Sequence, residues 1–153
     1  MPNWCDNRLV VEDQTKDFQE FVKDGLSLEK ISPTPKEMLD PVLEKAGLPD
    51  WYAWRAKNWG TKWDLEAGEK FKGDILYFST AWSPPIEAIS TLSKRFPTMT
   101  FTLDYHESGM GFAGHTAFKS GGVSDLCTQD PQEVKEIGRD VFGFENEGEE
   151  DDE

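Results

Sequence analysis

The sequence predicts an α+β fold, and three observations carry that prediction. Residues 98–107, "TMTFTLDYHE", alternate strictly, with Phe101, Leu103 and Tyr105 facing one way and Thr100, Thr102, Asp104 and His106 the other, the period of a half-buried strand. Residues 83–97, "SPPIEAISTLSKRFP", instead set Ile86, Ile89, Leu92 and Phe96 along one side of a helix that Pro97 ends. A chain of 153 residues at 37% apolar composition is long enough for one domain with a true core.

The first strand is "WCDNRLVVE", residues 4–12, which ends in a β-branched run with Cys5, Leu9 and Val11 on one parity. Asp13 or Thr15 can cap the helix that follows, where Phe18, Phe21 and Val22 recur at helical spacing and Gly25 stands at the C-terminal stop. From 26 to 60 the pattern is irregular. "ISPTP" and "GLPD" break it around a short helical piece over 36–46, interrupted by Pro41, and a second piece over 49–59 stops at Gly60. Residues 61–66 read as a second strand, followed by a turn near 68–73 and by "DILYFSTAW", 74–82, whose aromatic and β-branched content suits a central strand. Ser83 is the expected N-cap of the next helix, with proline in its first turn. After the strand over 98–107, a glycine turn and "GFAGHTAFKSGG" close a hairpin.

The order β, α, insertion, β, β, α, β, β is that of a ferredoxin-like split βαβ sandwich with one extra strand and a helical insertion between the first helix and the second strand. The expected organisation is a single domain over 1–124, with the insertion at about 26–60, and an acidic C-terminal extension over 125–153 whose end is disordered.

The net charge of -14 arises from 30 acidic and 16 basic residues, so the long-range field repels polyanions and attracts basic surfaces. Direct binding to duplex DNA is not expected. The last 13 residues, "VFGFENEGEEDDE", hold seven carboxylates and no base, half of the net charge. Such runs are solvated extensions or docking peptides for a basic partner. The two cysteines, Cys5 and Cys127, lie far apart with no CxxC pair, so neither a zinc knuckle nor a disulfide framework is indicated. Cys5, on the parity of Leu9 and Val11, reads as a buried, inert thiol. No stretch approaches a membrane span, and a cytoplasmic protein is expected.

The densest chemistry is "WRAKNWGTKW", residues 54–63, with three of the six tryptophans. On a helix over 49–59 with Trp51 at 0°, Trp54 falls at about 300°, Trp59 at about 80° and Tyr52 at about 100°. Arg55, at about 40°, and Asn58, at about 340°, sit inside that aromatic arc. Two readings follow. The face plugs onto the sheet with Arg55 and Asn58 bonded to backbone groups of the insertion. Alternatively, the rings flank a flat ligand while Arg55 grips a carboxylate or phosphate. Trp63 and Trp82, at neighbouring strand ends, would extend the cluster. Asp64 reads as a structural partner of the adjacent turn.

His106, Glu107 and His115 lie across a glycine turn, but the two histidines are offset and Glu107 faces away from His106, a poor metal geometry. "GMGFAG" lacks the strand-to-helix setting of a dinucleotide fingerprint, and no phosphate loop, calcium loop, nucleophile elbow or paired-acid motif occurs. No catalytic residue, metal or cofactor is expected.

Three segments, "MPNWCDNRLVV", "NWGTKWD" and "TAWSPP", resemble the YubB-like family of small phage- and plasmid-encoded proteins with a ferredoxin-like domain and unknown function. The resemblance extends from Met1 to about Gly122, includes "FTLDYHESGMGFAG", and leaves out the acidic tail. It implies a setting in mobile genetic elements of bacterial cytoplasm and supplies no reaction. The expected role is a non-enzymatic accessory protein that binds a host protein with a basic surface, modulating or inhibiting it in the manner of an anti-defence factor or nucleic-acid mimic. The alternative is a small-ligand or nucleotide binder using the tryptophan face.

Overall fold

The computed structural model describes residues 3–39, 51–66 and 69–144. Five antiparallel strands form one sheet: β1 (Trp4–Val11), β2 (Ile75–Ala81), β3 (Thr100–Glu107), β4 (Phe112–Lys119) and β5 (Gly122–Thr128), in the spatial order β2-β1-β3-β4-β5. Before β2 come the short helices α1 (Lys16–Phe21) and α2 (Leu28–Ile31), a single 3-10 turn over Lys36–Leu39, and α3 (Trp51–Asn58). Helix α4 (Ile86–Arg95) carries the chain from β2 across β1 to β3, which is the split βαβ arrangement, and α5 (Pro131–Phe142) follows β5. The fold is a ferredoxin-like α+β sandwich.

Alternation builds the core. Cys5, Leu9 and Val11 on β1 are fully buried on one face of the sheet, beside Leu76 on β2 and Phe101 and Leu103 on β3. Thr15 caps α1, its hydroxyl accepting from Phe18 N at 3.2 Å, and so fixes the turn that drops Phe18 into the core. The ring of Phe18 meets Phe71, Phe96 and Phe101 edge-on at 5.7, 5.3 and 5.8 Å. Ala88, Ile89 and Leu92 of α4 close that layer.

Three elements depart from the sequence reading. Residues 61–66 alternate but form no strand. Gly60, at φ +89°, turns the chain where a Cβ would lie 2.9 Å from Pro84 O, and Thr61 then donates its hydroxyl to Ala81 O at 2.7 Å. Side-chain bonds therefore hold this segment where a strand ladder was expected. Ser83 does not cap α4: its hydroxyl donates to Gly60 O, and the helix starts behind Pro85 without a side-chain cap.

The boundary drawn at residue 124 falls inside β5, and the chain stays folded through α5. Asp130 caps α5 by accepting from Glu133 N at 3.0 Å, Pro131 opens its first turn, and Gly143 ends it in the left-handed conformation. The helix lies over β3 and β4, bringing Gly138 against His106 so closely that a Cβ would stand 2.9 Å from the imidazole Nε2. His106 and Tyr105 point to opposite faces, so α5 covers the side of the sheet away from the main core. The sequence missed β5 because its side chains are exposed on both faces and show no apolar alternation. The expected helix beyond Leu39, with Pro41, and the acidic end at 145–153 lie outside the described residues.

Candidate functional site

Helix α3 brings much of the expected aromatic face together, with Trp51 and Trp54 half-buried, Tyr52 exposed and Trp59, just beyond the helix, turned inward. Trp59 is fully buried, with its indole N–H donating to Ser32 O at 2.8 Å and its ring edge-on to Trp54 at 6.2 Å. The Arg55 guanidinium lies against two rings, 5.0 Å from the Trp51 centroid and 4.7 Å from that of Trp59. Its nitrogens are engaged from within the insertion: Nε donates to Thr34 Oγ1 at 3.0 Å, Nη1 to Lys62 O at 3.4 Å, and Nη2 stands 3.7 Å from Glu29. Asn58 donates to Trp54 O, one turn back. Two rings and three nitrogen contacts thus already engage the guanidinium, as the plug reading expects.

Asp64 anchors the same region. Its carboxylate accepts from Ser27 Oγ at 2.8 Å, Leu28 N at 2.7 Å, Glu29 N at 3.1 Å and Leu65 N at 2.8 Å, collecting the free amides at the start of α2. Trp82 has a left-handed backbone at φ +69°, its N–H donates to Asn3 O, and its ring is exposed. Trp63 packs on Trp4, with ring centroids 6.1 Å apart.

That Trp4–Trp63 pair forms one wall of a groove of about 850 Å³ running along the outer side of β2. Tyr77, Phe142 and Phe144 form another wall, linked by ring contacts at 6.3 and 5.6 Å. Asp6, Asp64, Glu66 and Glu69 are the acidic residues of the lining, and among the described residues no lysine or arginine lines it. Burial pushes the Asp6 carboxyl above the usual range, against the lowering effect of the Ser79 hydroxyl that donates to it at 3.3 Å. Asn7, fully buried, also lines the groove, and its Oδ1 has no hydrogen-bond partner among the described residues. Of the residues singled out from sequence, only Trp63 and Asp64 reach this groove. Its other members come from residues 4–7, 77–79 and 142–144, and only knowledge of the β1–β2 register and of α5 could have joined them.

The histidines are separated by their surroundings. His106 is buried beneath α5 against Phe142 and Phe144, and that burial lowers its pKa. His115 is half-exposed and bonds through Nδ1 to Asp104 at 2.6 Å, while Arg8 holds the other oxygen of Asp104 at 2.8 Å. Glu107 is turned to the opposite face and accepts from Gly109 N and Met110 N in the hairpin turn. Among the described residues no group of three or more His, Cys, Asp or Glu side chains is placed to hold a metal ion. Burial raises the Cys5 thiol to about 12, as an inert core thiol requires. No helix of the described residues is long and apolar enough to cross a membrane.

Among curated proteins none matches the chain. A solved structure, that of protein api92 from Yersinia pseudotuberculosis, is similar at a TM-score of 0.36 and 16% identity, over 52% of this chain and 31% of that one. The chain thus matches less than a third of that protein's length. Residues 58–151, more than half of the chain and including the Trp63 bank, β2 and α5, match the family described as the ferredoxin-like domain in Api92-like protein. The chain belongs to that family of ferredoxin-like domains.

Proposed function

We propose that the protein acts by binding a partner with a basic surface. The observation that carries this reading is the groove beside β2, where exposed aromatic rings converge with the carboxylates of Asp6, Glu66 and Glu69 and no lysine or arginine is among the described lining residues. Apolar walls supply contact area, and carboxylates on the lining reward lysine and arginine while repelling polyanions. The net charge of -14 adds long-range attraction that speeds encounter and falls with salt.

The setting we propose is that of a phage- or plasmid-encoded accessory protein in bacterial cytoplasm that modulates or inhibits a host protein, presenting carboxylates to a groove that otherwise holds nucleic acid. The likeness of "MPNWCDNRLVV", "NWGTKWD" and "TAWSPP" to the YubB-like family supports that setting. A two-variant comparison tests the binding reading. Partners are captured from bacterial lysate at low salt by the wild type, by a groove variant (Asp6→Asn, Glu66→Gln, Glu69→Gln) and by a variant of equal charge change on the outer face of α5 (Glu133→Gln, Glu136→Gln, Asp140→Asn). The expected outcome is a salt-sensitive partner lost only by the groove variant. Equal loss in both variants, or no capture by the wild type, overturns the reading.

A further inference from the structure

The outer edge of β2 carries main-chain groups without partners among the described residues, and they lie in the groove. Along an antiparallel strand, alternate residues direct both their N–H and C=O to the same side. Val11 N donates to Asp74 O and Trp82 N to Asn3 O, so the even-numbered positions of this stretch face β1. Ile75 therefore faces outward, where it exchanges both bonds with Lys72, at 2.9 and 3.3 Å. Ala81 also faces outward, and its carbonyl is taken by the Thr61 hydroxyl. Between these two closed positions, Tyr77 and Ser79 face outward with no backbone partner among the described residues, and both line the groove. Among the described residues the edge is thus engaged at each end and open in the middle.

We infer that this opening receives an extended segment of a partner protein, bearing lysine or arginine at alternate positions, as an added strand paired with Tyr77 and Ser79. This rests on the basic-partner reading above and gives it a mode of docking. Strand addition supplies affinity through main-chain bonds and selectivity through the side-chain surroundings. Here those surroundings accept cations. The Trp4 ring is 48% exposed, Asp6 lies two residues along the same face, and Arg8, the next base on that face, is held by Asp104. Lys62 already sits 4.3 Å over the Trp63 ring, as a partner lysine would over Trp4.

Charge selects among occupants. A second copy pairing edge to edge would bring Asp6, Glu66 and Glu69 against the same carboxylates, a like-charge juxtaposition that deters it. The chain's own residues 145–153, which follow the groove wall at Phe144, hold seven carboxylates and meet the same repulsion.

The test uses a labelled nine-residue peptide alternating lysine with valine, read by fluorescence anisotropy at low and high salt. Two further peptides carry N-methyl groups on the odd or on the even residues, removing the N–H groups of one edge at a time. Expected are salt-sensitive binding of the parent, loss of about tenfold or more for one methylated peptide, and retention for the other. Ser79→Pro deletes the outward N–H and is tolerated on an edge, so it should weaken binding by about tenfold, while Ser79→Ala should not. A thermal melt checks that Ser79→Pro folds; where it does not, the methylated pair decides. Equal binding of both methylated peptides overturns the strand mode while leaving the basic-partner reading intact. No binding of the parent at low salt overturns both. A wild-type dimer that Ser79→Pro dissociates assigns the edge to a second copy and overturns the inference.

Discussion

The α3 face and the β2 groove are both rich in tryptophan, yet they differ in what lies between the rings. In α3 the polar group against the rings, Arg55, is bonded on several sides by the chain itself, and Trp59 has no exposed surface. In the groove the rings of Trp4 and Trp63 are 48% and 39% exposed, and the main chain beside them has open donors and acceptors. Aromatic density in a sequence marks where area is buried or offered. Whether the intervening polar groups are already paired decides which of the two it is.

The contrast can be broken by substitution. Trp59→Ala should carry the largest effect, destabilising the domain by about 3–5 kcal/mol in urea denaturation, because it empties a fully buried site and orphans Ser32 O. A loss below about 1 kcal/mol would mean that the α3 face is not a plug. Asp64→Ala should cost about 2–3 kcal/mol, since three donors at the start of α2 and the amide of Leu65 lose a charged acceptor. Trp63→Ala should shift stability by no more than about 0.5 kcal/mol, in the range of surface changes, and yet reduce binding of a basic peptide in the same titration. A stability loss as large as that of Trp59→Ala would place Trp63 in the core and erase the comparison.

Much of the fold was legible because side-chain period reports burial. β1, β3 and β4 alternate over a buried face, and Ile89 and Leu92 recur where α4 needs them. Residues 61–66 alternate too, but Gly60 and the Thr61 hydroxyl commit the segment to the end of β2, a tertiary bond that no local period reports. β5 has nothing to bury, so its sequence carries no such signal. For the site, the α3 cluster was visible because its members are neighbours in sequence. The groove was not, since Asp6 meets Ser79 only through the β1–β2 register and Phe142 reaches Tyr77 only through α5. The structural role expected of Asp64 emerged with a different partner, the start of α2, where the adjacent turn was anticipated.

The position of β1 has a consequence for how the chain acquires its shape. The N-terminal strand of this domain is an inner strand, and its bonds reach far along the sequence: Arg8 meets Asp104, 96 positions later. Contacts of such span must close large loops before any compensation arrives, which places the domain among slow folders, on the scale of about milliseconds to seconds. A nascent chain accordingly exposes the apolar run Leu9, Val10 and Val11 until β2 and β3 have been made, an interval in which chaperone capture competes with folding.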